Sequence, residues 1–248
     1  MTPSISGHLQ KGHKKSKAMT HVLVVEDEPA IGELLAVNIA SHLGYQASVA
    51  ASAEEAMQSL KANPPHLVLI DWMLPGASGL ELARELRRQE GTRRIPIIFV
   101  TARTEEQEKL KAFEAGADDY ITKPFSPREL IARIQAVLRR YFPESGRECL
   151  EAEGLFLDPA ARRVSADGLE VILGPTEFAL LSFFMANPEQ VHSREKLLNR
   201  IWGINALVEE RTVDVHIRRL RRALETTRHD RLLQTVRGIG YRFSSKGG

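Results

Sequence analysis

Leu67-Val-Leu-Ile-Asp71 is a run of four apolar residues that ends in a carboxylate. The same design occurs at Val22-Leu-Val-Val25 before Glu26-Asp27, and at Ile97-Ile-Phe-Val100 before Thr101. Runs this short, bounded by polar residues or proline, read as strands covered on both faces, the condition of a parallel sheet. Tyr45–Ala50 and Tyr120–Thr122 are weaker strand candidates nearer the edges. Between them Ser52-Ala-Glu-Glu55, Ser78-Gly-Leu-Glu81, Thr104-Glu-Glu-Gln107 and Ser126-Pro-Arg-Glu129 fit the capping box that opens a helix. Pro127 stands at a first helical position, where a missing N–H costs nothing. Five strands alternating with five helices predict an α/β doubly wound (βα)5 domain. Function in such a sheet gathers at the carboxyl ends of its strands.

Outward from that core, the chain divides by charge. It has 248 residues, with Lys+Arg 34 against Asp+Glu 32 and 43% hydrophobic content, an ordinary globular composition. Residues 1–19 carry four Lys and no acid, and read as a disordered tail, an over-called start or a nucleic-acid-binding arm. Residues 20–140 carry 14 bases and 17 acids and form the sheet domain. A break at residues 141–149, with Pro143 and Gly146, reads as a linker. No stretch has the length of apolar residues a membrane span requires. The single cysteine, Cys149, cannot form an internal disulfide, which fits a reducing cytoplasm.

Residues 150–246 follow a different pattern. Leu155–Leu157, Arg162–Ser165 and Leu169–Leu173 are short strand candidates, followed by helical stretches at Thr176–Ala186, Arg194–Trp202 and Glu209–Leu224. Leu232–Val236 and Tyr241–Phe243 then form a glycine-turned hairpin. Three helices and a hairpin make an α+β winged helix-turn-helix. Arg211–Arg242 holds nine Arg against three acids, which points to a polyanion as partner.

Glu26, Asp27 and Asp71 stand at strand ends that neighbouring strands would bring to one edge. Each alone could merely cap a helix or face solvent. Crowded together, three carboxylates repel unless a cation neutralises them, and hard oxygen ligands favour Mg²⁺. Thr101 adds a hydroxyl and Lys123 an ammonium beside Pro124, a step consistent with a cis peptide bond. A carboxylate can accept phosphoryl as an acyl phosphate, with cations stabilising the transferring oxygens.

The stretches Val24-Val-Glu-Asp-Glu28, Leu69-Ile-Asp-Trp-Met-Leu-Pro-Gly76, Thr101-Ala102 and Gly116-Ala-Asp-Asp-Tyr-Ile-Thr-Lys-Pro-Phe125 resemble response-regulator receiver domains. Gly174-Pro-Thr-Glu-Phe178, Arg211-Thr-Val-Asp-Val-His-Ile-Arg-Arg-Leu-Arg221 and Thr235-Val-Arg-Gly-Ile-Gly-Tyr-Arg-Phe243 are similar to the OmpR/PhoB family of DNA-binding regulators. The resemblance implies that Asp71 is the phosphoacceptor and that Glu26, Asp27, Asp71 and the Met73 carbonyl hold Mg²⁺. It further implies that Thr101 and Lys123 contact the phosphoryl group, while Tyr120 reorients with Thr101. The phosphodonor would be a sensor histidine kinase. Asp71-Trp-Met-Leu-Pro75 and Trp202-Gly203 are similar to the members that govern phosphate-starvation genes.

The resemblance also implies a two-fold dimer face promoted by phosphorylation. Lys109, Glu114, Asp118, Asp119, Glu129, Arg133 and Arg140 would supply its charges, and Phe113 and Ala132 its apolar centre. In Glu209–Leu224, Val213, Ile217, Leu220 and Leu224 repeat at helical spacing and should face the core. Arg211, Thr212, His216, Arg218, Arg219 and Arg222 would lie on other faces, exposed for DNA. A helix of this width fits the major groove of double-stranded promoter DNA. Arg219 and His216 are expected near base edges, Arg211, Arg218 and Thr235 on phosphates, and Arg237 in the minor groove. Trp202 reads as core. Gly203–Glu210 resembles a loop that contacts the RNA polymerase sigma subunit.

The function expected is therefore a cytoplasmic, phosphorylation-activated transcription factor, not an enzyme beyond self-phosphorylation and self-dephosphorylation at Asp71. One alternative is a regulator of the same family answering a different signal. Another is a receiver whose output binds RNA or protein. A haloacid-dehalogenase-type phosphohydrolase also forms an aspartyl phosphate, but it wants a second Asp two positions after the nucleophile, where this chain has Met73.

Overall fold

The computed structural model describes residues 20–102, 105–141, 148–203 and 209–245. The 1–19 tail, Thr104, most of the 141–149 linker and most of the Gly203–Glu210 loop lie outside them.

The first half is a doubly wound sheet of five parallel strands: β1 (His21–Val25), β2 (Gln46–Ala50), β3 (Leu67–Asp71), β4 (Ile97–Thr101) and β5 (Asp119–Thr122), ordered β2-β1-β3-β4-β5. Every residue of β1, β3 and β4 is buried, as unbroken apolar runs require. The covering helices are α1 (Pro29–Leu43), α2 (Ala53–Ala62), α3 (Gly79–Arg88), α4 (Glu106–Ala115) and α5 (Pro127–Tyr141). The Ser78 capping box closes in full. At Ser52 the hydroxyl accepts from the Glu55 N–H, while the Glu55 carboxylate reaches the Ala51 N–H instead. At Ser126 the hydroxyl accepts from the Glu129 N–H at 3.1 Å. The fourth expected box differs: α4 starts after Glu105, which makes no side-chain cap.

The second half opens with an antiparallel sheet of β6 (Leu150–Ala152), β7 (Leu155–Asp158), β8 (Arg163–Ala166) and β9 (Leu169–Glu170). Then come α6 (Pro175–Met185), β10 (Val191–Ser193), α7 (Arg194–Ile201), α8 (Arg211–Glu225), β11 (Leu233–Val236) and β12 (Gly240–Phe243). The hairpin β11–β12 takes β10 as a third strand. Sequence periodicity missed β10, because three residues are too few to show a period.

The two halves pack against each other, α4 on α8 and α5 on α6. One buried apolar cluster runs from Leu23 through Phe113 and Tyr120 to Phe178 and Trp202. Arg94 pairs with Glu170 across the same seam at 2.6 Å. None of the described helices is long and apolar enough to cross a membrane.

Candidate functional site

Parallel strands that start at one level end at one level, so β1, β3, β4 and β5 deliver Glu26, Asp71, Thr101 and Lys123 to the same edge. Glu26, Asp71 and Thr101 are buried there, while Asp27 is exposed. Ligand oxygens of Glu26, Asp27 and Asp71 all lie within 4.8 Å of one another. An all-carboxylate set of this kind is typical of a Mg²⁺ site and fits a hard divalent cation. Lys123 Nζ donates to Glu26 Oε2 at 2.7 Å and to Asp71 Oδ2 at 2.5 Å. Burial pushes the Glu26 carboxyl up to about 6 against the pull of Lys123. Burial alone would lower the Lys123 ammonium, but its bonds to Asp71 and Glu26 raise it above its ordinary value.

Backbone contacts set the pocket. The Met73 N–H donates to Asp71 Oδ1 at 2.9 Å, and the Lys123 N–H to the Thr101 carbonyl at 2.7 Å. The Lys123–Pro124 peptide is cis. Gly79, at the start of α3, was not singled out by sequence reasoning: a Cβ there would lie 2.0 Å from the Asp71 carbonyl oxygen. Its close approach lets α3 begin against the end of the acid-bearing strand. A Ser-Gly pair opening a helix after Asp71 was the signal available.

The structure corrects the expectation that the polar faces of α8 are exposed. Arg222, Thr235 and Arg237 are exposed, as are Arg211 and Arg218, with side-chain exposures of 70% and 66%. Thr212 and His216 are buried, and the Arg219 side chain is only 20% exposed. The reason is tertiary: this face of α8 lies on α4 of the first domain. Arg211 pairs with Glu106 at 3.1 Å and Arg218 pairs with Glu114. Arg219 Nη1 donates to the Phe113 and Ala117 carbonyls at 3.3 and 3.1 Å. The His216 ring packs edge-on against Phe113 and tilted against Trp202, with centroids 5.5 and 5.1 Å apart.

Glu177 of α6 lies beneath both residues. It meets His216 Nδ1 at 2.7 Å and Arg219 Nε at 3.1 Å. Burial alone would raise the Glu177 carboxyl, but Arg219 and His216 hold it down at about 2. Burial pushes the His216 imidazole below its ordinary value, against the pull of Glu177.

The expected dimer face is likewise not a solvated surface in this chain. Phe113, Asp118, Asp119, Arg133 and Arg140 are buried; of the rest, Glu114 and Ala132 are exposed, while Lys109 and Glu129 are half-buried. Asp118 accepts from Arg87, the Ile97 N–H and the Thr176 hydroxyl, while its carbonyl receives Arg140 and the Trp202 indole N–H. Asp119 pairs with Arg133 at 2.8 Å, and Arg133 also reaches Glu129. Lys109 lies over the Tyr120 ring and 3.8 Å from Glu209. Lys109, Glu114, Asp118 and Arg140 are met by the chain's own second half, while Asp119, Glu129 and Arg133 pair within the first.

A cluster that sequence reasoning did not single out closes the far side of α8. Tyr241 Oη and Arg194 Nε both donate to Asp214 Oδ1, at 2.6 and 2.7 Å. Arg221 donates to the Leu233 carbonyl and the Thr235 hydroxyl, tying the helix to the hairpin.

Residues 22–135 match the response regulator receiver domain family, and residues 168–243 match the family of transcriptional regulatory protein C-terminal domains. The chain is 53% identical over 91% of its length to the phosphate regulon transcriptional regulatory protein PhoB of Escherichia coli K12, covering 98% of that protein. It is 52% identical to PhoB of Pseudomonas aeruginosa PAO1, again over 91% of this chain, covering 97% of the relative. Among solved structures, a mutant of RitR superposes with a TM-score of 0.73 at 26% identity, covering 92% of this chain and all of that one.

Proposed function

Because the chain belongs to the OmpR/PhoB family of two-component response regulators, and is a PhoB-like regulator of transcription of the phosphate-regulon type, we propose that phosphorylation of Asp71 frees its second half to bind promoter DNA. A protein of this family is a transcription factor rather than a catalytic enzyme. Its receiver implies a histidine kinase as phosphodonor, and its second domain implies DNA as target. The Asp71 carboxylate oxygen attacks phosphorus, and the donor's bond to phosphorus breaks with its electron pair leaving on the donor. Lys123 moves its ammonium from the carboxylates to the transferred oxygens, and the Thr101 hydroxyl donates a hydrogen bond to them. Glu26, Asp27, Asp71 and the Met73 carbonyl would hold Mg²⁺, which would neutralise charge on those oxygens.

The observation that carries this reading is where the α8 arginines are engaged. Arg211, Arg218 and Arg219 have partners on α4 and its carboxyl end: two carboxylates and two carbonyls. These are the kinds of acceptor that phosphates and base edges offer. The helix cannot enter a major groove while α4 covers it. Phosphoryl transfer biases Thr101 and Tyr120, and Tyr120 stacks edge-on with Phe113 of α4 at 5.7 Å. Movement there uncovers α8 and the α4–β5–α5 face together. The freed face takes a second copy of the chain through Lys109, Phe113, Glu114, Asp118, Asp119, Glu129, Ala132, Arg133 and Arg140. The freed domain takes DNA through Arg211, Thr212, His216, Arg218, Arg219, Arg222, Thr235 and Arg237, and the loop at Gly203–Glu210 is assigned to the sigma subunit.

The deciding experiment is promoter binding with and without acyl phosphate and Mg²⁺, for wild type and Asp71→Ala. Phosphorylation should tighten binding at least tenfold in wild type and leave Asp71→Ala unchanged, which is about 1.4 kcal/mol of coupling. Equal tightening in both proteins would refute the assignment of Asp71.

A second expectation concerns the cover. Each exposed pair, Arg211–Glu106 and Arg218–Glu114, stabilises the closed chain by only about 0–1 kcal/mol. Glu106→Lys with Glu114→Lys replaces both attractions by repulsion. Promoter affinity without phosphodonor should then rise roughly tenfold, read by fluorescence anisotropy. An unchanged affinity would mean that α4 is not the cover.

A further inference from the structure

Along the seam between the two halves, arginines are matched by carboxylates: Arg87 by Asp118, Arg94 by Glu170, Arg133 by Asp119, Arg211 by Glu106, Arg218 by Glu114 and Arg219 by Glu177. Arg162 departs from the rule by donating to the Arg140 and Tyr141 carbonyls instead. A second departure, at Arg139 and Arg200, has no such acceptors among the described residues. A cavity of about 200 Å³ opens between α5, α6 and the end of α7, lined by Arg139, Arg140, Phe178, Phe183, Arg200 and Ile201 among others. Every charged residue in its lining is an arginine. Arg140 is buried and committed to the Asp118 carbonyl and the Thr176 hydroxyl. Arg139 and Arg200 are exposed, and among the described residues neither has a carboxylate partner. Arg200 lies over the Phe183 ring, 6.0 Å from its centroid.

We propose that this cavity is a binding site for a small anion of the phosphate class, held by Arg139 and Arg200. Two guanidiniums facing a partly enclosed space without a counter-charge raise the local potential, and a planar fork suits a phosphate bidentately. A dianion would balance Arg139 and Arg200, which have no carboxylate partner among the described residues. The Phe178 and Phe183 rings leave room for a compact apolar or planar body attached to the phosphate. Inorganic phosphate, pyrophosphate and a nucleoside monophosphate share this chemistry.

The walls come from both halves: Arg139 from α5, and the aromatic rings and Arg200 from α6 and α7. A ligand that needs all of them binds only the closed chain, and by linkage it opposes opening. That consequence rests on the closed-to-open reading above; the binding itself does not.

The test is calorimetric titration of the full-length, unphosphorylated chain without Mg²⁺, at constant ionic strength set with chloride. Inorganic phosphate, pyrophosphate and AMP are added separately, which separates the possible sources. At least one should bind saturably, and Arg139→Gln with Arg200→Gln should weaken it at least tenfold. Both side chains are at the surface, so the variant should melt where wild type does; Arg139→Lys with Arg200→Lys keeps the charge and should recover part of the affinity. Asp71→Ala should bind as wild type does, which separates this cavity from the phosphorylation pocket. No binding by any of the three, or equal binding by the double Gln variant, overturns the proposal. If binding holds but the ligand leaves promoter affinity unchanged, the cavity assignment stands and the closed-to-open reading fails.

Discussion

Gly79→Ala should disable the phosphorylation pocket without replacing any of its charged residues. The added methyl carbon would sit 2.0 Å from the Asp71 carbonyl oxygen and 3.0 Å from Ile70 Cγ2, far inside van der Waals contact. Neither neighbour can yield easily, because β3 is fully buried between β1 and β4. The start of α3 must move off the strand end, breaking the Gly79 N–H bond to the Trp72 carbonyl and dragging Asp71 with it. Overpacking of this kind costs about 3 kcal/mol. A displacement of about 1 Å in a reacting group lowers its rate roughly a hundredfold. Thermal unfolding and the rate of Asp71 phosphorylation from acyl phosphate measure the two effects. Gly91, with nothing within 4 Å of an added Cβ, provides the control. Wild-type stability and rate in Gly79→Ala would show that the approach is not the constraint described.

Glu177→Ala should be the most destabilising change in the second domain. It leaves the Arg219 guanidinium and the buried His216 ring around a void that held their carboxylate. Removing one partner of a buried pair costs about 3–5 kcal/mol, since the remaining charge stays desolvated. Glu177→Gln keeps the shape and should cost less. The sign of the pH dependence follows from the direction of the shift. A carboxyl held at about 2, against an ordinary 4.5, contributes its stability above pH 4.5 and loses it as pH falls toward 2. The gap in unfolding free energy between wild type and Glu177→Ala should therefore be full at pH 7 and narrow below pH 4.5. Equal stability of the two proteins at neutral pH would show that Glu177 holds nothing in place.

These two residues also mark the limit of what residue order reveals. Glu26, Asp27, Asp71, Thr101 and Lys123 were legible because each follows an apolar run, and parallel strands of similar length deliver their ends to one edge. That inference needs only local periodicity and one rule of topology. Gly79 was not legible, because its role is a distance between backbone atoms of two elements. Val213, Ile217, Leu220 and Leu224 were legible as core by spacing, and all four are buried. Thr212, His216 and Arg219 follow their own helical spacing on a second face of α8. Being polar, they read as solvent-facing or DNA-facing until α4 and Glu177 were seen against them.

The dimer face shows the same boundary. A row of mixed charges on α4, β5 and α5 is compatible with water, with a second copy or with another part of the chain. Nothing in the order of residues chooses among these. The choice is made by shape and by charges far apart in sequence, such as Glu114 with Arg218, 104 positions away. The two folds, the acidic pocket and the arginine-rich helix α8 were all readable from residue order, since they rest on near-neighbour periodicity, caps and strand order. What that helix touches, and which arginines lack a counter-charge, emerged only once the chain was folded. Pairing across a domain seam depends on how two finished surfaces fit, and a one-dimensional pattern does not carry that fit.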